Sequence, residues 1–250
     1  MLILCKVHAI WDLVVVMKIK KPLILFSMLL MTLSCAKDMS SNFNFDGGKK
    51  DVEPKMAIVT VKQSPAKIIY FQLDDKTRLL PQNYILGYSG MERLMCSLVI
   101  DNSHEDPVYG KHAWIDWEGG FIEKGIFHNS ITSSTALDLD DPKHGLDIPD
   151  SWVNSVEDGF LTLEYKTWWG FAPAHHDLYL VAYCNLSDPY EVWLYQNTNG
   201  DRKDYYDSSF ICFDINELPD TGDEYKPLTL KWTSPDGKTH SKRFEFKTRK

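Results

Sequence analysis

Short runs of alternating apolar and polar residues recur along most of this chain. In the segment FLTLEYKT, Leu161, Leu163 and Tyr165 share one parity, while polar residues occupy the other. Because successive side chains of a β-strand point to opposite faces, this pattern predicts a strand with one buried face. Strands are predicted at Met56–Val61, Lys67–Leu73, Glu92–Ile100, His112–Trp117, Phe160–Thr167, Asp177–Tyr183, Glu191–Gln196, Ser209–Ile215, Leu228–Thr233 and Arg243–Lys247.

Turn-forming residues separate these runs, as Ser234-Pro235-Asp236-Gly237 does between the last two. No long stretch beyond the N-terminal segment has a helical period, so the predicted fold class is all-β. The strands of the first half predict a small barrel, and those of the second half predict a sandwich. The polar segment 128–150 lies between the two sets. It therefore predicts a linker between a domain at 56–127 and a domain at 151–250.

The N-terminal segment has the layout of a secretory signal. The basic sequence KIKK at 18–21 precedes an apolar run, 22–33, that is too short to span a bilayer. We expect translation to start at Met17, because the apolar residues before it do not fit a signal peptide. The run ends in TLSC, and small residues before a cysteine at that place resemble the lipobox of bacterial lipoproteins.

The lipobox resemblance implies cleavage after residue 34 and attachment of diacylglycerol to the thiol of Cys35. Residues 1–34 are then a signal peptide, and the polar segment 35–55 is a flexible tether. The protein would be held at the membrane through Cys35. A soluble secretory signal and an uncleaved anchor helix are the alternatives.

Composition and charge limit the classes of partner that the chain can bind. With 44% hydrophobic residues the chain is globular, and a formal charge of −8 argues against nucleic acid as a partner. Beyond the tether, Cys96, Cys184 and Cys212 remain, in no zinc-binding spacing. Cys184 and Cys212 lie in apolar runs, where they form either one disulfide or buried free thiols.

Three segments carry a family resemblance. YFQLDDKTRLLPQ (70–82), HHDLYLV (175–181) and EVWLYQNTNGD (191–201), together with the lipoprotein signal, resemble NigD-like lipoproteins of Bacteroidales. Lys76 and Gln196 depart from the family pattern, which usually has glycine at the first position and often histidine at the second. The resemblance implies an OB-like barrel followed by an immunoglobulin-like sandwich on an outer-membrane lipid anchor. It implies no molecular activity, because none is established for the family.

Two polar motifs have a ligand-binding and a structural interpretation. His175-His176-Asp177 offers two imidazoles, but neighbours on a strand face opposite ways and cannot share one metal. The segment 197–201 (NTNGD) has oxygen ligands that suit Ca²⁺, yet Ser208 stands where an EF-hand loop needs glutamate. A histidine pair and a turn are the simpler interpretations, so we expect no metal and no cofactor.

An aromatic segment is the strongest candidate for ligand binding. Trp168, Trp169 and Phe171 follow one another at the end of a predicted strand. Such rings stack on sugars or form the centre of protein interfaces, while the structural alternative is that at least one caps the core. The sequence GYSGM (87–91) fails the nucleophile pattern GxSxG at its last position, and no catalytic residue is singled out.

We therefore expect a non-enzymatic outer-membrane lipoprotein, facing the periplasm or the cell exterior. Its two β domains would bind a protein or another envelope component. The alternative is a carbohydrate-binding surface lipoprotein that uses Trp168, Trp169 and Phe171 as its sugar platform.

Overall fold

The computed structural model describes residues 53–83, 92–120, 123–128 and 144–249. Within these ranges the chain forms thirteen β-strands and no α-helix. None of the described residues forms a helix that could cross a membrane. The strands are β1 (Lys55–Gln63), β2 (Ile69–Gln72), β3 (Arg78–Pro81), β4 (Glu92–Asp106), β5 (Gly110–Gly120), β6 (Glu123–His128), β7 (Ser155–Glu157), β8 (Phe160–Trp169), β9 (Asp177–Ala182), β10 (Glu191–Asn197), β11 (Tyr205–Asp214), β12 (Lys226–Thr233) and β13 (Thr239–Phe246).

The first five strands close into a barrel in the order β1-β2-β3-β5-β4. All neighbours are antiparallel except β3 and β5, and β4 returns to β1 to close the ring. The long strand β4 shifts register between Ser97 and Leu98 and between Asp101 and Glu105. Such irregularities bend a strand, which lets β4 pair with both β1 and β5. The barrel core is apolar and includes Val59, Val61, Phe71, Leu79, Leu94, Cys96, Leu98, Ala113 and Ile115.

The remaining strands form the sandwich, in the order β13-β12-β10-β9-β6-β11-β8-β7. Their inward-facing side chains make one apolar cluster, in which Leu161, Leu163 and Tyr165 of β8 take part. These are the residues whose alternation predicted the strand. The predicted fold class, all-β with a barrel followed by a sandwich, is confirmed.

The strand β6 connects the two halves of the sandwich. It pairs in parallel with β9 on one side and with β11 on the other. It spans 123–128 and therefore includes the end of the range predicted as the first domain, 56–127. The boundaries of the predicted domains and of the linker 128–150 stay predictions, and most of that linker lies outside the described residues.

Barrel and sandwich are joined by a buried arginine. The side chain of Arg93, in β4, is 1% exposed and donates from Nη1 to Oγ1 of Thr60, 2.9 Å away in β1. Its Nε lies 3.4 Å from Oγ1 of Thr162 in β8, and the guanidinium carbon lies 5.7 Å from the ring centroid of Phe160. Because buried charges are costly unless they are hydrogen bonded, these contacts fix β4 against the sandwich.

The three cysteines of the described part form no disulfide. Cys96 and Cys212 are buried, and Cys184 is partly exposed. Of the two alternatives for Cys184 and Cys212, the structure thus has thiols and not a disulfide. The predicted signal peptide, the lipidated Cys35 and most of the predicted tether lie outside the described residues, while Lys55, the last residue of that tether, is the first residue of β1.

Candidate functional site

The motifs singled out in the sequence meet at one end of the sandwich. The strand β8 ends in Trp168 and Trp169, and these pair with Tyr206 and Tyr205 at the start of β11. The start of β9 lies beside the end of β10, where Asp177 pairs with Asn197. Antiparallel pairing therefore brings together segments that are up to 40 residues apart in the chain.

Two aromatic pairs lie at this end. The rings of Trp168 and Tyr206 are tilted by 53° with centroids 5.2 Å apart. The rings of Phe171 and Tyr205 stack with centroids 5.9 Å apart, and Phe171 is 82% exposed. We call these four residues the aromatic end. Phe171, Tyr205 and Tyr206 are exposed and Trp168 is half-buried, and rings held in such pairs are suited to contact an apolar surface of a ligand.

Trp169 does not share this environment. Its ring lies parallel to the imidazole of His176, with 7° between the planes and 4.2 Å between the centroids, and it packs against the sandwich core. Trp168 and Trp169 are neighbours on β8, so their side chains project to opposite faces. Of the three aromatic residues predicted to bind a ligand, the structure thus places Trp168 and Phe171 at the aromatic end and Trp169 beneath it.

His176 is the centre of a buried polar network. Its Nε2 lies 3.0 Å from Oδ2 of Asp201, and its Nδ1 lies 2.7 Å from Nε2 of Gln196. The amide of Gln196 donates to Nδ1, so the imidazole proton belongs on Nε2, where it is donated to Asp201. Burial lowers the pKa of His176, although Asp201 opposes the shift. The imidazole is therefore neutral near pH 7, with both nitrogens engaged.

Asp201 also holds the backbone that carries the aromatic residues. Its Oδ2 accepts from the amide of Gly170 at 3.1 Å, and this hydrogen bond is the main reason that the pKa of Asp201 is lowered to about 2. The amide of Phe171 donates to Oδ2 of Asp204 at 3.0 Å. A Cβ on Gly170 would lie 2.5 Å from Oδ1 of Asp201, so a larger residue there would displace this carboxylate. The position of Phe171 is thus fixed by two carboxylates.

The segment 197–201 forms a turn rather than a cation site. Asn199 and Gly200 both have positive φ, 50° and 77°, as a tight turn requires. The side-chain amide of Asn199 donates to the carbonyl of His175 at 2.7 Å and to Oδ2 of Asp177 at 2.8 Å. Oδ1 of Asn197 accepts from the amide of Asn199 at 2.9 Å, and both carboxylate oxygens of Asp201 accept hydrogen bonds, so these oxygens are used within the protein. Across the described ranges, no cluster of His, Cys, Asp or Glu side chains is arranged to hold a metal ion.

The two adjacent histidines lie in different environments. The side chain of His176 is 1% exposed, whereas that of His175 is 80% exposed and lies 3.2 Å from Oδ1 of Asp177. They project away from each other, as expected for neighbours at the start of a strand.

Comparison with known proteins identifies the sandwich. The model of the NigD-like C-terminal beta sandwich domain matches residues 133–247. Comparison with curated protein sequences finds no significant match.

Solved structures share the fold along most of the chain. A candidate toxin-related protein from Parabacteroides distasonis matches with a TM-score of 0.63 and 20% identity, covering 78% of this chain and 94% of that one. A protein of unknown function from Bacteroides vulgatus matches with a TM-score of 0.57 and 17% identity, covering 77% and 90%. A candidate lipoprotein from Bacteroides fragilis matches with a TM-score of 0.53 and 12% identity, covering 79% and 100%. At these identities the likeness concerns the fold, while the sequence match concerns the sandwich. Residues 133–247, slightly less than half of the chain, thus match a NigD-like C-terminal beta sandwich domain.

Proposed function

We propose that this chain is a lipid-anchored binding protein of the bacterial outer membrane, which uses the aromatic end of its sandwich to bind a protein partner and catalyses no reaction. The observation that carries the proposal is the exposed ring of Phe171, stacked on Tyr205 and fixed through its backbone by Asp204. A large apolar side chain held rigidly in solvent loses little conformational entropy when it is covered. Such residues dominate the energetics of protein interfaces.

The absence of a reaction is proposed from the state of the buried imidazole. His176 is the most prominent candidate for a general base at this end of the sandwich. Both of its ring nitrogens are hydrogen bonded and one face lies under Trp169. It therefore supports the loop that carries Phe171 and has no free nitrogen to accept a proton from a substrate.

The lipid anchor is proposed from the sequence around Cys35, which resembles a lipobox. The similar fold of a candidate lipoprotein from Bacteroides fragilis is compatible with such an anchor. Digestion of intact cells with proteinase K, with lysed cells as control, tests which side of the outer membrane the body faces. Metabolic labelling with a fatty-acid analogue tests the anchor, and Cys35→Ser should abolish the label.

Site-specific crosslinking in living cells tests the partner. A photoreactive phenylalanine analogue at position 171 should give an adduct with one protein, identified by mass spectrometry. The matched control is the same analogue in place of Leu186, another exposed apolar residue of the sandwich, 78% exposed. The adduct should weaken with Tyr205→Ala and be missing at position 186. Equal adducts at both positions, or none at 171, would contradict a protein partner at the aromatic end.

Carbohydrate binding is the second candidate, because aromatic faces also stack on sugar rings. Binding of the purified protein to a glycan array, lost in Trp168→Ala and in Phe171→Ala, would establish it in place of the protein partner.

A further inference from the structure

A polar cleft of 490 Å³ is lined by residues of both the barrel and the sandwich, and none of its lining residues belongs to the aromatic end. Its walls come from the turn between β2 and β3, the turn between β4 and β5, the hairpin turn after β7, and the residues that follow β13. Its volume is in the range of small-molecule sites. It contains six basic side chains, from Lys62, Lys76, Arg78, Lys111, Lys247 and Arg249.

We propose that this cleft binds a small polyanion, a ligand that carries two or more carboxylate or phosphate groups. The chain as a whole has a formal charge of −8, so a local excess of cations runs against its average. The cleft also contains four carboxylates, from Asp75, Glu105, Asp106 and Asp158.

Three of these carboxylates are already engaged. Oδ1 of Asp158 lies 2.7 Å from Nζ of Lys62. Oδ1 of Asp75 accepts from the amide of Asp158 at 3.0 Å. Oδ1 of Asp106 accepts from the amides of Val108 and Tyr109, each at 2.8 Å, and these bonds lower the pKa of Asp106. These carboxylates thus hold the turns of the cleft, and that of Asp158 is paired with a cation.

Several of the basic groups, in contrast, have neutral partners. Among the described residues, Lys76, Arg78, Lys111 and Lys247 form no ion pair with a carboxylate. Nζ of Lys111 donates to Oδ1 of Asn102 at 2.8 Å. The ammonium of Lys247 lies 5.7 Å from the ring centroid of Tyr225. Neutral contacts position these groups without cancelling their charge.

Arg78 is the best-positioned of them. Its Nε lies 3.4 Å from Oε1 of Gln72, its Nη1 lies 3.3 Å from the carbonyl oxygen of Val108, and its guanidinium carbon lies 5.7 Å from the ring centroid of Tyr70. Three neutral contacts hold the guanidinium, which is planar and matches the oxygens of a carboxylate or phosphate.

Arg78 and Lys111 lie on the neighbouring strands β3 and β5, and both line the cleft. In the parallel pairing of β3 and β5, the residue after Arg78 is opposite Lys111. Gly110 has a φ of 81°, and a Cβ there would lie 2.1 Å from the carbonyl oxygen of Arg78. The two strands approach so closely that only glycine fits. Two cations on adjacent, rigid strands favour a ligand with more than one negative group.

Calorimetry on the full chain purified in detergent tests the proposal with three probes. Tri-galacturonate supplies carboxylates on a saccharide, pyrophosphate supplies phosphates, and maltotriose is a neutral saccharide. We expect at least one of the two anions to bind, with an affinity that falls as salt is raised, and maltotriose not to bind. Binding of tri-galacturonate alone would indicate an acidic saccharide, and binding of pyrophosphate alone would indicate a phosphorylated ligand. Binding of neither, or equal binding of maltotriose, would overturn the proposal.

Charge-removing variants locate the binding. The double variant Arg78→Gln/Lys111→Gln should weaken the anion by about tenfold or more, because it removes two charge-assisted contacts. The control Lys238→Gln/Arg243→Gln removes the same charge from exposed positions outside the cleft and should bind as the wild type does. Lys76→Gln, at an exposed turn, gives a second variant with little risk to folding, and it should also weaken binding.

An equal loss in the control variant, or no loss in either cleft variant, would show that the anion binds elsewhere and would overturn the proposal. Phe171→Ala should leave the anion affinity unchanged. The proposals for the cleft and for the aromatic end are therefore tested independently.

Discussion

Lys62 in the barrel and Asp158 in the sandwich form an ion pair, with Nζ 2.7 Å from Oδ1 and side chains only 15% and 7% exposed. Asp158 occupies the turn between β7 and β8 with a φ of 51°, followed by Gly159 with a φ of 74°. The tight hairpin therefore presents a carboxylate to the barrel, and its amide also donates to Asp75. A single turn of the sandwich thus makes two polar contacts with the barrel.

We expect Lys62→Met to lower the free energy of unfolding by roughly 3 kcal/mol, because it leaves the carboxylate of Asp158 buried without its cation. Asp158→Asn should also destabilise, while keeping the turn, since asparagine tolerates positive φ. Denaturant unfolding of both single variants and the double variant measures the coupling. A double variant that loses the full sum of the two single effects would show that the pair does not interact.

We expect Glu157, the residue before Asp158, to make the protein less stable as pH rises. Burial raises its pKa to about 7, and the charges of Asp75 and Asp74 add to the shift. The folded state therefore binds this proton more tightly than the unfolded state does, and stability falls between the ordinary pKa of glutamate and pH 7. Thermal melts should show that Glu157→Gln is stabilised relative to wild type at pH 8 but not at pH 5. Glu245→Gln, on an exposed site, should show no such difference.

We expect His176 to have the opposite effect, which is a loss of stability as pH falls. Its pKa is lowered mainly by burial, so the unfolded state takes up the proton first as pH falls. The corresponding stability is complete above the ordinary pKa of histidine and is lost below it. His176→Gln should remove this part of the acid sensitivity, and His175→Gln, an exposed neighbour, should retain it. NMR titration of the His176 ring at or above the ordinary value would contradict the prediction.

The two aromatic roles separate in stability measurements. Trp169→Ala should cost roughly 2 kcal/mol or more, because its ring packs against the core and on His176. Phe171→Ala should cost less than about 1 kcal/mol, since that ring is exposed and contacts Tyr205. Denaturant unfolding of the two variants measures these losses of unfolding free energy. A loss for Phe171→Ala as large as that for Trp169→Ala would place Phe171 in the structural core.

The alternation of residues predicted most of the strands, because a half-buried strand must alternate. It missed β3 and β7, which have only four and three residues, and β6, whose six residues, EKGIFH, do not alternate. Alternation along β8 also determines which way its last residues face. Leu163 and Tyr165 point inward, so Trp169 must as well, and grouping it with Trp168 overlooked this parity.

The basic cleft could not be predicted in the same way. Arg78 and Lys111 are 33 positions apart, and the residues after β13 are more than a hundred positions further along the chain. Only the closure of the barrel and its packing on the sandwich bring them together. No pattern among neighbouring residues of the sequence indicates that arrangement.

Only two positions separate the end of β5 in the barrel from the start of β6, the strand held between β9 and β11. A fragment that begins at residue 133, where the family match begins, would lack this strand. Its neighbours β9 and β11 would then present bare backbone amides and carbonyls, which invite pairing between molecules. A sandwich fragment that begins at residue 133 would therefore self-associate. Recombinant versions of this half should start before residue 123.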